Sequence, residues 1–449
     1  MNLDAIFKAY VIRGRIDNGD MDADIARRIG AGFATFSGAD RIAVGRDIRT
    51  SSNEISDAFI EGATGQGVDV DDIGLIATDM SYYYAGAHDV PAAMITASHL
   101  PLNWNGIKLS LAGAKPVSGD TGLAEIKALT ADPPAPAEEP GSVREVSTLD
   151  EYVDHLYSIV DADSFRPLKV AVDGGNGMAG IVSGPVFARI PVDLTSLYLE
   201  PDGTFPNHPA DPTRPENLAD LIAAMEAEPH DLGVAFDADA DRAIFIDDAG
   251  VPLSGSTTTA MVARWFLGHN PGATIVHNLI TSRAVPETVL KWGGNPVKTR
   301  VGHSYIKAVM AETGAVFGGE HSAHFYFRDN YRADSGTLAM LVIMQLMAED
   351  PRPLSEIRTE YEPYAASGEI NFIVEDQQGM MDIVAAEMDG ESNLLDGLTV
   401  EWADEWFNIR PSNTEPLLRL NVEAPDADAA AALVARVSEI IVANGGRAG

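Results

Sequence analysis

The sequence predicts an α/β protein built from three similar α/β domains followed by a different, α+β domain. Strand-like apolar runs alternate with helix-like segments along most of the 449 residues, and this alternation favours βαβ units. A segment rich in Pro, Ala and Glu, ADPPAPAEEPGS at 131–142, is typical of a surface linker after the first domain. We therefore place the domains at residues 1–143, 144–248, 249–362 and 363–449.

Each predicted domain carries its own strand and helix signals. In the first, the strand-like runs are RIAVGRD, DIGLIATD and AAMITAS, and the helix-like ones are DADIARRIGAGFATF and EISDAFIEGATGQG. The second contains two strand–turn signals, LKVAVDGGNGMAG and GVAFDADADRAIFID, and the third contains ATIVHNLI and AVFGGEHS. The last ends in the strand-like LRLNVEA and an Ala-rich helix, DADAAAALVARVSEIIVA. Direct repetition among the first three blocks is weak, so their similarity is predicted from the shared pattern.

The composition excludes several classes of function. The chain has 31 basic and 67 acidic side chains, a net charge of −36, and such a surface repels nucleic acids and anionic membranes. It has no cysteine, which excludes disulfides, thiolate metal sites and a thiol nucleophile. The start, MNLDAIFKAYVIRGR, is unlike a signal peptide, and no run of about 18 apolar residues occurs. We expect a cytoplasmic protein whose few cations are concentrated wherever an anionic substrate binds.

The segment FDADADR places three aspartates after an apolar strand-like run. Asp237, Asp239 and Asp241 alternate with alanines, and in an extended loop their carboxylates can converge on one hard cation such as Mg²⁺. An EF-hand loop would need Gly at its sixth position and Glu at its twelfth, where this chain has Arg242 and Asp248. A solvated acidic turn is the alternative. Arg242 is placed to contact a phosphate that bridges to the metal.

Ser98 lies in MITASHLPLNWNGIKL, between an apolar run and a turn rich in Pro, Asn and Gly. Three interpretations compete: a hydrolase nucleophile, a plain loop serine, and a phosphorylated serine that completes the coordination of the cation. A nucleophile elbow would read G-x-S-x-G, whereas this chain has T-A-S-H-L, which disfavours the hydrolase. The phosphoserine hypothesis requires the serine and aspartate loops to meet across a cleft between domains.

Two later loops carry polar groups suited to a sugar phosphate. GGEHSAH at 318–324 supplies a carboxylate, a hydroxyl and two imidazoles that can bond sugar hydroxyls and move protons, although His321 and His324 could equally be metal ligands or satisfied loop histidines. RPSNTEP at 410–416, with Arg419 nearby, supplies a guanidinium, hydroxyls and an amide, which are typical phosphate ligands. A capped turn before a strand is the alternative there.

The ordered set of motifs resembles the α-D-phosphohexomutase superfamily, and within it the phosphomannomutase/phosphoglucomutase group. The resemblance covers nearly the whole chain through FKAYVIRG, VGRDIRTSS, TASHLPLNWNGIKL, DADADR, TRVGHSYIK, GGEHSAHFYFRD and NIRPSNTEPLLRLNVEA. Each motif alone is moderately specific, and their conjunction in this order is highly specific. The resemblance implies four domains in a heart-shaped arrangement, which is compatible with three similar blocks and a distinct fourth.

The resemblance also implies roles for individual residues. Ser98 would be the phosphoserine and, with Asp237, Asp239 and Asp241, would bind one Mg²⁺ per subunit. Arg242 would contact the transferring phosphoryl group. The remaining catalytic residues implied are Arg13, His99, Lys108 and His324, and the substrate-binding residues implied are Tyr10, His303, Glu320, Ser322, Arg410, Ser412, Asn413 and Thr414.

Three positions depart from the family pattern. Val11 replaces the acidic residue of the usual Y-D-I-R-G, and Ala238 stands where glycine is common in the metal loop. Ile280, in NLITSR, aligns with a position at which some members carry an active-site lysine. Proton transfer would then depend on His324 or Lys108.

The implied reaction interconverts hexose 1-phosphates and 6-phosphates through phospho-Ser98 and a hexose 1,6-bisphosphate, which serves as activator and intermediate. The partners expected are phosphorylated hexoses, with no nucleic acid or membrane, for a monomer or homodimer. A phosphoglucosamine mutase is the nearest alternative. A Mg²⁺-dependent phosphatase using Asp237 as nucleophile, and a non-catalytic sugar-phosphate sensor, are the alternatives from other classes.

Overall fold

The architecture was determined from a computed structural model, which describes residues 2–8, 10–412 and 417–449. Its four sheets follow one another along the chain, three mixed and the last entirely antiparallel. This arrangement confirms the predicted fold class of three α/β domains and a C-terminal α+β domain. No helix within the described ranges is long and apolar enough to span a bilayer.

The first sheet has seven strands in the order β1-β5-β4-β2-β3-β7, with β6 beside β5. Its elements are α1 (Leu3–Ile6), β1 (Ile12–Arg15), α2 (Ala23–Ser37), β2 (Arg41–Arg46), α3 (Ser52–Thr64), β3 (Asp69–Leu75), α4 (Thr78–Ala87), β4 (Ala92–Ile95), β5 (Trp104–Leu111), β6 (Lys115–Pro116), α5 (Ala124–Ala131) and β7 (Val143–Glu145). Strand β7 begins where the prediction ends the first domain, and it pairs with β3. The irregular segment before β7 is joined to the first domain by backbone hydrogen bonds that the Ala137 and Gly141 amides donate.

Two sequence-based elements of this domain differ in extent from the structure. The run DIGLIATD was expected to be a strand, but β3 lies earlier and α4 begins at Thr78, whose amide donates to the Asp239 carbonyl. The run AAMITAS was also expected to be a strand, but β4 ends at Ile95 and leaves Ser98 in a loop. Both endings bring polar residues to the carboxyl ends of strands, where α/β proteins bind ligands.

The second sheet has the order β11-β10-β8-β9, with three parallel strands and one antiparallel edge strand. Its domain contains α6 (Leu149–Ile159), β8 (Leu168–Asp173), α7 (Ala179–Phe187), β9 (Val192–Leu197), α8 (Ala219–Ala227), β10 (Leu232–Phe236) and β11 (Ala243–Ile246). All five residues of β10 are buried. The aspartate loop therefore begins at the end of a central strand.

The third sheet has the order β13-β12-β14-β15-β16. Its domain contains α9 (Gly255–His269), β12 (Thr274–Asn278), α10 (Ala284–Lys291), β13 (Asn295–Thr299), α11 (His303–Thr313), β14 (Phe317–Gly319), β15 (Phe325–Phe327), β16 (Ala333–Asp334), α12 (Gly336–Glu349) and α13 (Leu354–Arg358). Helix α12 is apolar on nearly every side and is buried almost throughout, as expected for a central helix. One hydrophobic core runs through the first three domains and includes Tyr84, Val170 and Phe317.

The last domain has a separate core and an antiparallel sheet in the order β19-β20-β21-β22-β18-β23, with β17 beside β22. Its elements are β17 (Ala365–Ala366), β18 (Ile370–Ile373), α14 (Gln377–Glu387), β19 (Glu391–Asn393), β20 (Leu398–Glu401), β21 (Trp406–Pro411), β22 (Leu417–Ala424), α15 (Ala427–Ala443) and β23 (Arg447–Ala448). It contacts the third domain through Leu279, Ile280 and Trp406. Arg283 adds hydrogen bonds to the carbonyls of Trp402 and Ala403.

Candidate active site

The Ser98 loop meets the aspartate loop across the boundary between the first two domains. The buried Ser98 hydroxyl donates a hydrogen bond of 2.8 Å to Asp237 Oδ2, and its oxygen is 3.2 Å from His99 Nδ1. Ser98 has a φ of 52°, in the left-handed region that is strained for a residue with a side chain. The meeting of loops that the phosphoserine hypothesis requires is thus present in the structure.

The three aspartates of the second domain form a compact, buried cluster. Asp237, Asp239 and Asp241 each place a carboxylate oxygen within 4.8 Å of the others, and none is more than 2% exposed. Thr78, which belongs to the first domain, donates a hydrogen bond of 2.6 Å from its hydroxyl to Asp239 Oδ2. Ala240 has a φ of 60°, so this loop, like the serine loop, contains a strained left-handed residue.

Two cations balance part of this negative charge. Lys108 Nζ lies 2.6 Å from Asp239 Oδ2 and 2.5 Å from Asp241 Oδ2, while Arg242 Nη2 lies 2.9 Å from Asp237 Oδ2. Burial opposes ionisation of Asp239, but the ion pair with Lys108 outweighs it and lowers the pKa of Asp239. Burial also opposes the charge on Lys108, yet Asp239 and Asp241 raise the pKa of Lys108 well above its ordinary value. Lys108 is therefore a fixed positive charge.

The same cluster fits a divalent cation. Burial and the neighbouring Asp241 raise the pKa of Asp237, because the carboxylates lie close together and the nearby positive charge does not balance them. Among the described residues, the buried oxygens Asp239 Oδ1 and Asp241 Oδ1 accept no hydrogen bond. An all-oxygen, carboxylate-rich set of this kind suits a hard cation such as Mg²⁺.

The third domain contributes the loop between β14 and β15. Glu320 accepts hydrogen bonds from the Tyr326 hydroxyl at 2.7 Å and from the Gly302 amide at 3.1 Å. Ser322 Oγ is 3.1 Å from His324 Nδ1, and His324 Nε2 is 3.8 Å from Asp241 Oδ1. The loop therefore reaches the aspartate cluster through His324.

The two histidines of this loop have different surroundings. His324, Asp241 and Asp334 form a second group whose ligand atoms lie within 4.8 Å of one another, which is a spacing that suits metal ligation by His324. His321 instead has Nδ1 3.1 Å from Asn278 Nδ2, and burial lowers the pKa of His321 to about 3. His321 belongs to neither of the metal-type groups in the described chain.

Tyr10, Arg13 and His303 lie near the aspartate cluster: Arg13 interacts with the charges of Asp239 and Asp241, His303 with that of Lys108, and Tyr10 packs on His303. Strand β1 pairs with β5 so that Arg13 is opposite Gly106, two residues before Lys108. The Tyr10 ring packs edge-on against the His303 ring, with centroids 5.4 Å apart, and so joins the first and third domains. Burial lowers the pKa of His303 to about 3, which keeps its imidazole neutral.

The fourth domain presents paired arginines on adjacent strands. Arg410 on β21 is directly opposite Arg419 on β22, and Glu369 lies 3.2 Å from Arg410 Nη2 and 3.5 Å from Arg419 Nε. Two guanidiniums with one shared carboxylate leave net positive charge, as an anionic ligand requires. The Ser412 amide donates to the Leu417 carbonyl. Asn413 and Thr414 lie outside the described residues.

The family models match this chain in four consecutive segments. They are described as phosphoglucomutase/phosphomannomutase alpha/beta/alpha domain I at residues 4–134, domain II at 150–250, domain III at 254–364 and the C-terminal domain at 369–440. The chain belongs to the phosphoglucomutase/phosphomannomutase family. Its four site loops each come from a different domain of this family, in the order that the sequence motifs indicate.

Relatives in this family are similar over almost their whole length. A phosphomannomutase from Salmonella montevideo is 38% identical over 437 residues, which cover 94% of this chain and 96% of the relative. The phosphohexose mutases of a Xanthomonas campestris strain are 38% identical over 97% of this chain and 98% of theirs. A solved phosphoglucomutase/phosphomannomutase family protein from Burkholderia thailandensis is 32% identical, with a TM-score of 0.90 over 99% of this chain and 98% of its own.

Several residues that complete this family site were missed at the sequence level. Thr78 and Glu369 hold Asp239 and the arginine pair, respectively, and no local motif marks them. Tyr326, which holds Glu320, lies within GGEHSAHFYFRD, but the motif assigns it no role. Arg49 was quoted only as part of VGRDIRTSS, yet its guanidinium contacts the serine loop. Ile280 is buried and packs with Leu279 and Trp406, so this position provides an apolar contact between domains.

Proposed function

We propose that this family member is a phosphomannomutase/phosphoglucomutase, which interconverts hexose 1-phosphates and hexose 6-phosphates. The observation that carries the proposal is the hydrogen bond between Ser98 Oγ and Asp237 Oδ2 beside Arg242. It places a hydroxyl able to carry a phosphoryl group within a carboxylate cluster. The phosphomannomutase from Salmonella montevideo and the Xanthomonas phosphohexose mutases support the same assignment.

The proposed cycle begins with phosphorylated Ser98 and a hexose 1-phosphate. The bond from phosphorus to Ser98 Oγ breaks as the substrate O6 bonds to phosphorus, and the O6 proton passes to a base. The product is a hexose 1,6-bisphosphate, which turns over in the cleft. The bond from phosphorus to its O1 then breaks as Ser98 Oγ bonds to that phosphorus, and O1 takes the proton back from the base, which gives the hexose 6-phosphate and restores phosphorylated Ser98. Arg242 stabilises charge on the transferring group, and Arg13 and His99 complete the polar surroundings of the reacting atoms.

We propose Mg²⁺ as the resident cation, held by Ser98, Asp237, Asp239 and Asp241. When bound, it would neutralise charge on the transferring phosphoryl group. The carboxylate-rich donor set and the two unbonded aspartate oxygens support this proposal. We also propose that a trace of hexose 1,6-bisphosphate phosphorylates Ser98 and thereby activates the enzyme.

We propose His324 rather than Lys108 as the proton acceptor. Lys108 Nζ is held by two carboxylates that raise its pKa, so it stays protonated. Ile280 offers no proton acceptor. An imidazole is the side chain best suited to take and return a proton near neutral pH, and His324 lies beside Asp241 and Ser322.

We propose that the third and fourth domains bind the part of the substrate that is not reacting. Glu320 and Ser322 would bond hexose hydroxyls, while Tyr10 and His303 line the cleft. The phosphate that is not reacting would bind Arg410, Ser412, Asn413 and Thr414. Because the hexose must bind in both orientations, the fourth domain would contact whichever phosphate points away from Ser98.

The domain boundaries 1–143, 144–248, 249–362 and 363–449 stay part of this proposal, as does a monomeric or homodimeric state. Limited proteolysis would test the boundaries, because cleavage concentrates at exposed linkers. Light scattering would test the oligomeric state.

The test is a ³¹P NMR assay with mannose 1-phosphate or glucose 1-phosphate, Mg²⁺ and a trace of hexose 1,6-bisphosphate. Appearance of the 6-phosphate is the expected result, and the two rates give the sugar preference. Release of inorganic phosphate would contradict the mutase and indicate a phosphatase. Conversion of glucosamine phosphate alone would indicate a phosphoglucosamine mutase, and binding without conversion would indicate a sensor.

A further inference from the structure

Two buried charged residues, Asp47 and Arg49, follow strand β2 and have no role in the proposed reaction. Arg49 is 3% exposed and Asp47 is 1% exposed, and Arg49 Nε lies 3.3 Å from Asp47 Oδ2. Burying an ion pair is costly unless further hydrogen bonds compensate. The further hydrogen bonds that Asp47 and Arg49 make therefore indicate the role of this ion pair.

The Arg49 guanidinium donates to four backbone carbonyls of the serine loop. Nη2 is 2.5 Å from the carbonyls of Ser98 and Leu100, and Nη1 is 2.9 Å from that of Pro101 and 3.2 Å from that of Trp104. A guanidinium offers donors in a planar fork, which a lysine ammonium cannot reproduce. One side chain thus binds the loop from Ser98 to the start of β5.

Asp47 supports the backbone N–H of Ser98, which lies on the opposite side of that residue from the carbonyl bonded by Arg49. Its carboxylate accepts from the Arg49 amide at 3.0 Å and the Ser52 hydroxyl at 2.5 Å, and it also interacts with the Thr96 hydroxyl. Thr96 Oγ1 in turn accepts a hydrogen bond of 2.9 Å from the Ser98 amide. The backbone N–H of Ser98 is therefore held through Thr96, and its carbonyl is held by Arg49.

These contacts act on a backbone that is strained. Ser98 has a φ of 52°, and such a conformation persists only where the surroundings impose it. In this conformation its hydroxyl reaches Asp237 at 2.8 Å. Relaxation of the loop would move Oγ away from the aspartate cluster, while the groups that bind the hexose, on the third and fourth domains, would stay in place.

We infer that Arg49, supported by Asp47, is a positioning residue that fixes Ser98 Oγ in the orientation needed for phosphoryl transfer. The inference rests on the proposed function, because it assigns a purpose to the strained serine only if Ser98 carries the phosphoryl group. It separates two tasks around Ser98. Arg49 sets the geometry of the serine, whereas Arg242 and Lys108 supply charge beside it.

The test compares Arg49→Lys with Arg46→Lys in the complete enzyme. Arg46 lies three residues earlier, bonds Asn53 and Asp72, and contacts no carbonyl of the serine loop, so it is a matched control. In the ³¹P NMR assay, Arg49→Lys is expected to lower kcat about 10²-fold with KM within about threefold of wild type. The rate of Ser98 phosphorylation by hexose 1,6-bisphosphate, followed by intact mass, should fall in parallel. Arg46→Lys should resemble wild type in both measurements.

A second variant covers the case in which Arg49→Lys does not fold. Thr96→Val keeps the side-chain shape and removes only the hydroxyl that accepts from the Ser98 amide, and it is expected to lower kcat at least about tenfold without changing KM. Wild-type kcat in a folded Arg49→Lys variant, or in Thr96→Val when Arg49→Lys is unfolded, would overturn the inference. A wild-type enzyme without mutase activity would instead reject the proposed function itself.

Discussion

The carboxylate of Asp79 accepts a hydrogen bond of 2.5 Å from the hydroxyl of Tyr152. Asp79 belongs to α4 of the first domain and Tyr152 to α6 of the second, and Ser335 of the third domain donates to the same oxygen at 2.6 Å. One buried carboxylate therefore joins three domains. Burial raises the pKa of Asp79 to about 7, and its effect is larger than that of the neighbouring charges.

This raised pKa makes the junction sensitive to pH. In the unfolded chain an aspartate has a pKa of about 3.9, so the folded protein binds this proton more tightly. The resulting stability is present below about pH 4 and is lost as the pH rises through 7. Asp79→Asn removes the charge and keeps an oxygen for Tyr152. It should raise the free energy of unfolding at pH 8 by up to about 4 kcal/mol relative to wild type, with little gain at pH 4.

Urea unfolding at the two pH values measures this difference. Asp57→Asn, at an exposed position on α3, is the control and should change the free energy of unfolding equally at both. An Asp79→Asn variant that is less stable than wild type at pH 8 would show that the charged form is the stabilising one, contrary to this prediction.

Ser98→Ala separates the mutase from the alternatives. Without the hydroxyl there is no acceptor for the phosphoryl group, so turnover should fall by at least about 10³-fold. Binding of glucose 6-phosphate, measured by calorimetry, should change little, because most of the contacts proposed for it are on the third and fourth domains. Ser56→Ala, a buried serine on α3, serves as the control and should keep full activity. Retained phosphate release by Ser98→Ala would point to Asp237 as the nucleophile.

The fold class was predictable because several buried strands of the first three domains are short apolar runs followed by a turn or loop. The run GVAF, for example, became the fully buried strand β10. Where strands end was less predictable, since the endings depend on contacts between domains. Helix α4 begins at Thr78 because Thr78 binds Asp239, 161 residues later in the chain. No local pattern reports such a contact.

The convergence of the site loops was predictable for a similar reason. Ser98 and the aspartates each follow a strand, and the ends of strands are where α/β domains bind ligands. Arg49 was not predictable as a site residue, because its partners are backbone carbonyls, which every sequence has. The surroundings of Ile280 were not predictable either, because they depend on Trp406. Trp406 belongs to the fourth domain, whose hydrophobic core is separate from that of the third.

Removal of the proposed Mg²⁺ provides a third test. Chelation by EDTA should abolish turnover, and Mg²⁺ should restore it. Mg²⁺ at 100 times its Kd should stabilise the folded protein by about 2.7 kcal/mol, visible as a higher Tm. Asp239→Asn should lose most of this Tm response. Asp220→Asn, which removes an exposed carboxylate that bonds Tyr198, should retain it. A full Mg²⁺ response in Asp239→Asn would place the cation elsewhere, for example at the group formed by Asp241, His324 and Asp334.

The net charge of −36 predicts that the protein becomes more stable as salt is added. The carboxylates repel one another most strongly in the compact folded state, and the screening distance falls from about 30 Å at 0.01 M to about 3 Å at 1 M ionic strength. We expect Tm to rise steadily with KCl at constant Mg²⁺, and equally with NaCl, because screening does not depend on the identity of the cation. A response to sulfate alone would reflect exclusion of that salt from the protein surface. A Tm that falls in KCl would show that ion pairs such as Lys298–Glu401 outweigh the repulsion.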